Sequence, residues 1–123
     1  MSEKRAYALF LYDMACAVDK ILEYTKSLSR QNLLENELVK DAILRNIQVL
    51  GDAAKKVPPE FIASHQEIDW KGIAGLRDII THQYFRVDWN ILWTTIQEDL
   101  PPLSSTLHSL LERSLADDNG RSV

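Results

Sequence analysis

The sequence predicts an all-α domain, an up-down bundle of about five helices. Three observations predict it. Apolar residues recur at alternating spacings of four and three over long stretches. Only 4 Gly and 4 Pro are available for turns, too few for a sandwich or barrel of many short strands. With 46% apolar and 26% charged residues, 123 residues suffice for one core but not for several domains.

The first helix is expected from Glu3 to Ser29, where Tyr7, Leu11, Met14, Val18, Ile21, Thr25 and Leu28 form a heptad-like seam. Ala6, Phe10 and Ala17 widen its apolar face, which points to more than one neighbour. Asn32 is the expected cap of the second helix, with Glu35 reaching back as in a capping box. Its stripe is Val39, Ile43, Ile47, Leu50, Ala54 and Val57, and Pro58-Pro59 ends it. Pro59 starts a short helix through Phe61 and Ile62.

Asp69 is the expected cap of a fourth helix, from Trp70 to about Tyr84. Gly72 and Gly75 each weaken it by about 1 kcal/mol relative to Ala, which suggests close packing or a nearby backbone. Asp88 caps the last helix, where Trp89, Trp93, Ile96, Leu100, Leu103, Leu107 and Leu110 stay in phase across Pro101-Pro102. One long helix kinked at the prolines is therefore expected. Residues 1–114 form the helical domain, and residues 115–123 are expected as a frayed polar tail.

The net charge of -4, from 14 Lys and Arg against 18 Asp and Glu, argues against wholesale coating of nucleic acid. It leaves room for a local basic site. Cys16 is the only cysteine, so neither an intrachain disulfide nor a Cys-based zinc site is available. No signal-peptide core or membrane span is visible, and the cytoplasm is the expected location. Two long helices with wide apolar faces suggest a homodimer.

The stretch Gly75-Leu-Arg77-Asp78-Ile-Ile-Thr-His82-Gln-Tyr84-Phe85 sets Arg, Asp, His and Tyr on an otherwise apolar helix. On a continuous helix Arg77 and Tyr84 share a face and Asp78 neighbours His82, while Arg77 and His82 lie on adjacent faces. Arg offers a fixed fork of donors for a phosphate or a developing phosphorane. His moves a proton near neutral pH. Together they suffice for metal-free RNA cleavage through the 2′-hydroxyl. The plainer reading of the same residues is a salt bridge and a cap. Arg45 and Asp52, seven apart on the second helix, form a structural ion pair or line the same pocket as Arg77.

Other residues favour plain roles. His65 reads as solvated, His108 as surface, Cys16 as a small core residue, and Lys55, Lys56 and Arg86 as solvated charges. Trp70, Trp89 and Trp93 read as packing before base stacking. Three scattered histidines make no metal site, and no cofactor is expected.

The ordered set resembles the HepT toxins of the HEPN superfamily (higher eukaryotes and prokaryotes nucleotide-binding). Arg77-x4-His82-x-Tyr84 resembles their Arg-x4-His-x-Tyr motif. Arg45-Asn-Ile-Gln-Val-Leu-Gly-Asp52-Ala-Ala-Lys-Lys-Val-Pro58, Trp70-Lys-Gly-Ile-Ala-Gly-Leu-Arg77 and Val87-Asp-Trp-Asn-Ile-Leu-Trp93, then Asp99-Leu-Pro101, fit as well. Where the family often carries Glu, this chain has Asp52, which keeps the charge but shortens its reach to Arg77 or a neighbour.

The resemblance implies an all-α HEPN bundle, a homodimer, and Arg and His from both subunits in an interfacial cleft. It implies the toxin of a type VII-like toxin–antitoxin pair, a metal-independent endoribonuclease. It also implies a cognate MntA-like nucleotidyltransferase antitoxin that adenylylates the motif tyrosine, here Tyr84. In this reading Arg77 and His82 are catalytic, Asp78, Arg45 and Asp52 support them, and the substrate is RNA, tRNA or mRNA. Two alternatives stay open: a non-catalytic nucleotide- or RNA-binding partner of a nucleotidyltransferase, and a helical adaptor whose Arg77 and His82 satisfy buried polar groups.

Overall fold

The computed structural model describes residues 3–121. Among these, five longer helices and two short ones form, and no strand. The first, α1 (Glu3–Thr25), encloses Leu11, Met14, Val18 and Ile21 completely. It stops short of the expected Ser29. Thr25 is buried, and its hydroxyl donates to the Ile21 carbonyl at 2.9 Å.

Ser29 caps a short helix instead, α2 (Arg30–Leu34). The Asn32 backbone donates to Ser29 Oγ at 3.1 Å and the Asn32 side chain accepts from the Ser29 backbone, so the capping box joins Ser29 and Asn32. Asn32, expected as the cap of the following helix, is thus the third residue of α2. Leu33 is fully buried and pins this extra turn to the bundle. The next helix, α3 (Glu37–Lys55), is capped by Asn36, whose Oδ1 accepts from the Val39 N–H at 3.0 Å.

Pro59 opens α4 (Pro59–Ser64), and Asp69 caps α5 (Trp70–Gln83) through the Gly72 N–H. A 3₁₀ turn, Tyr84–Arg86, follows. Asp88 then caps α6 (Trp89–Glu98) by accepting from the Asn90 and Ile91 N–H groups. The last helix, α7 (Leu100–Arg121), starts after a single residue.

That residue, Asp99, keeps near-helical angles (φ -97°, ψ -36°). The expected proline kink is therefore a one-residue break just ahead of Pro101-Pro102. The prolines fall in the first turn of α7, where the missing N–H groups had no partner to lose. Helix α7 continues past residue 114 to Arg121.

Helix α3 is the centre of the bundle: it packs against α1 on one side and α5 on the other, while α7 closes on α1. The core joins Leu11, Met14 and Ile21 with Ile43, Ile47 and Leu50, and with Ile96 and Leu107. Burying each such side chain is worth about 1.5–3 kcal/mol. Trp70, Trp89 and Trp93 pack half-buried against it. No helix among the described residues is long and apolar enough to cross a membrane.

Candidate active site

The interface of α3 and α5 is built differently from the rest of the core. Gly51 of α3 lies directly against the Arg77 side chain of α5. A Cβ built at Gly51 falls 2.5 Å from Arg77 Cβ and 2.8 Å from its Cγ and Cδ. Only a glycine lets the arginine stem lie this close to the α3 backbone. Arg77 is thereby largely covered, with 23% of its side chain exposed. Its Nε donates to Asp52 Oδ1 at 2.6 Å, a charge-assisted bond.

Asp52 thus pairs with Arg77 rather than with Arg45. The short side chain reaches because Gly51 brings the helices together. Asp52 occupies the Nε edge of the guanidinium. Arg77 Nη1 lies 3.9 Å from exposed Asp78, a loose contact. Donors at the outer end of the fork remain for a ligand.

His82 stands one residue before the end of α5 and is exposed. Among the described residues it makes no hydrogen bond or ion pair, with Asp78 or otherwise. Gln83 (φ -134°, ψ 35°) breaks the helix behind it. Tyr84 therefore does not continue the Arg77 face. Its hydroxyl donates to Asp41 Oδ1 of α3 at 3.3 Å. The negative charge of Asp41 holds the phenol above its usual pKa, helped by partial burial and this hydrogen bond.

Asp41 and Asp52 are eleven residues apart on α3, about 16 Å along its axis, and they meet Tyr84 and Arg77 in antiparallel order. Exposed apolar side chains stand beside Tyr84 and elsewhere on α3, α5 and α6. Phe85 is 95% exposed beside Tyr84, and Leu38, Ile79 and Ile91 are exposed as well.

Arg45 is exposed and makes no ion pair among the described residues; it lines a groove between α3 and α1. Its neighbour Asn46, in contrast, is buried. Gly51 and Asp41 were missed in the sequence. A signal existed: Asp41, Arg45 and Asp52 fall on one face of α3 at helical spacing. The close approach expected at Gly72 and Gly75 occurs at Gly51. Gly75 faces open space, and a side chain at Gly72 would meet the capping Asp69 carboxylate.

The remaining histidines have structural partners. His65 is not simply solvated: its ring stacks on Phe61 (3.8 Å between centroids), and Nδ1 meets the Phe61 carbonyl at 2.9 Å. His108 is exposed, with Nε2 2.7 Å from Asp19 Oδ2. Cys16 is half-buried at the edge of the Arg45 groove, not in the core. Among the described residues no three His, Cys, Asp or Glu side chains group as metal ligands.

An all-α bundle carrying Arg-x4-His-x-Tyr at the end of one helix and the turn that follows, with the arginine pinned by an acidic residue of the central helix, is a HEPN-type domain. The family model described as "Ribonuclease HepT-like" matches residues 14–110, and the chain belongs to this HepT-like family. A protein of Thermococcus cleftensis named "Probable ribonuclease HepT" is 35% identical over 87% of this chain and 97% of its own. A Methanocaldococcus jannaschii protein provisionally named an RNase is 32% identical over 89% of this chain and 94% of its own. A third relative, from Caldanaerobacter subterraneus subsp. tengcongensis and also provisionally named an RNase, is 32% identical over 76% and 83%. No solved structure gives a significant match.

Proposed function

We propose that this protein is the toxin of a type VII-like toxin–antitoxin pair, a cytoplasmic endoribonuclease that works without a metal ion. One observation carries the reading. On α5, Arg77 is fixed against Gly51 and Asp52, and five residues on an unpaired His82 faces solvent. The names of the family and of its relatives support the same chemistry.

In this mechanism a phosphodiester of RNA lies on the outer donors of Arg77. His82 takes the proton of the adjacent 2′-hydroxyl, whose oxygen attacks phosphorus. The bond from phosphorus to the 5′-oxygen breaks, leaving a 2′,3′-cyclic phosphate, and the 5′-oxygen takes a proton from solvent to become a new 5′-hydroxyl end. Arg77 balances the charge that builds on the phosphorane. Asp52 fixes the guanidinium, Asp78 orients the site, and Arg45 holds the neighbouring backbone. A homodimer places a second Arg77 and His82 in the cleft. The exposed Phe85, Leu38, Ile79 and Ile91 supply apolar surface for that contact.

Regulation enters at Tyr84. A cognate MntA-like nucleotidyltransferase transfers AMP to its exposed hydroxyl, replacing the bond to Asp41. The bulky anion then sits two residues from His82, where charge and size both oppose RNA.

The test is cleavage of total RNA and tRNA in excess EDTA, after intact mass has shown that Tyr84 is unmodified. Cleavage by the protein and its loss in His82→Ala are expected. The second reading, a non-catalytic partner of a nucleotidyltransferase, is favoured by the net charge of -4. RNA binding without new 5′-hydroxyl ends selects it.

A further inference from the structure

We infer that the groove between α1 and α3 is a second nucleotide subsite, where Lys20 and Arg45 hold an RNA phosphate and Tyr24 and Asn46 meet the adjoining nucleoside. The inference rests on the ribonuclease reading and extends it to how the strand is held.

The groove has a volume of about 420 Å³, and Asp13, Cys16, Lys20 and Tyr24 of α1 face Arg45 and Asn46 of α3 across it. Two cations against one carboxylate give it a positive balance in a chain of net charge -4. Neither Lys20 nor Arg45 has an ion-pair partner among the described residues, whereas Lys26, Lys40 and Arg77 do. The contrast with the groove at the α6–α7 break is plain. That one is lined by Glu67, Asp69 and Asp99 over an apolar floor, without a cation.

Asn46 adds a second kind of observation. It is 8% exposed in the middle of α3, where an aliphatic residue would serve the core better. Its Nδ2 donates to the Ala42 carbonyl at 2.9 Å. Its Oδ1 accepts no hydrogen bond among the described residues, yet no buried side-chain atom there is left orphaned. The free acceptor therefore opens to the groove that Asn46 lines. It suits a 2′-hydroxyl or a base amino group. Tyr24 is 39% exposed at the same groove and offers a ring for a base to stack on.

The groove and the candidate active site are neighbours along α3. Arg45 and Asp52 are seven residues apart on one face of α3, about 10 Å along the axis, and Asp52 holds Arg77. A single strand lying along α3 meets Arg77 first and the groove a short step later.

The test uses the full chain carrying His82→Ala, so that RNA is not consumed, and a fluorescein-labelled single-stranded RNA of mixed sequence. Lys20→Glu with Arg45→Glu is expected to weaken binding by roughly tenfold or more and to flatten its salt dependence by about one phosphate contact. Tyr24→Ala is expected to weaken it by roughly fivefold or more. Lys26→Glu with Lys71→Glu changes the net charge equally outside the groove and is expected to cost less than about twofold. Circular dichroism melting establishes that each variant folds, and the glutamine pair replaces the glutamates if they do not. Equal loss in the two charge pairs, or no loss in the groove pair, overturns the subsite. Cleavage of the same RNA by the chain with His82 intact separates the two claims. Groove-dependent binding without cleavage keeps the subsite and removes the ribonuclease reading. Cleavage with an unchanged KM in the groove pair does the reverse.

Discussion

The two faces of α3 are held by different physics. Toward α1 it presents Ile43 and Ile47, in one core with Leu11, Met14, Val18 and Ile21, side chains that are almost entirely enclosed. Toward α5 it presents Gly51, Asp52 and Asp41, which meet the stem and charge of Arg77 and the hydroxyl of Tyr84. The first face gains stability from area removed from water. The second gives up burial to bring one guanidinium close and fix its direction. The bundle thus sets apart an apolar face from the face that carries the candidate site.

The strongest test of that separation is His82→Ala. Cleavage is expected to fall by about 10²–10⁴-fold while the melting temperature stays unchanged, since His82 is exposed and unpaired. A large loss of stability would instead support the adaptor reading. Ile47→Ala, on the α1 face, should show the opposite pattern. Chemical denaturation is expected to give a loss of about 2–5 kcal/mol, with activity per folded molecule retained.

Gly51→Ala probes the boundary between the two faces. The new methyl has no room beside Arg77, so overpacking of about 1–3 kcal/mol is expected together with displacement of the guanidinium. Stability and cleavage should therefore fall together, and an unchanged cleavage rate would show that Arg77 need not be fixed here.

Asp52→Asn sharpens the assignment further. The pair is partly solvated, with Asp52 48% exposed, so unfolding should change by only about 1 kcal/mol or less. The kcat should fall more than this stability change suggests if Asp52 positions Arg77. The smallest effect is expected for Tyr84→Phe, which removes one long hydrogen bond at 3.3 Å. Denaturation should detect a change within about 0.5 kcal/mol. Mass spectrometry after coexpression with a nucleotidyltransferase should then show no added AMP, against one or more on Tyr84 of the parent chain.

Much of this architecture was legible in the residues. The heptad seam of α1, the stripe of α3 and the caps Asp69 and Asp88 place their helices directly, because period and capping chemistry are local. The cap of α3 was not settled locally: Asn32 was expected there, but Asn36 caps it, because Leu33 is buried and the chain ahead of Asn36 folds as α2. The kink before Pro101 was readable, but its placement at Asp99 was not.

At the candidate site the residue types and their order along α5 were in the sequence, and so was the family resemblance they carry. The partners were not. Asp52 had two cations to choose from at helical or longer range, Arg45 and Arg77, and only the packing of α3 on α5 selects the second. The same packing assigns Asp41 to Tyr84 and the unexpected close approach to Gly51. The reason is one of range. Hydrophobic period, caps and proline breaks are settled within a few residues of chain, whereas a side chain's partner depends on the distance between helices. In this protein that distance is set by a glycine with no side chain to advertise it.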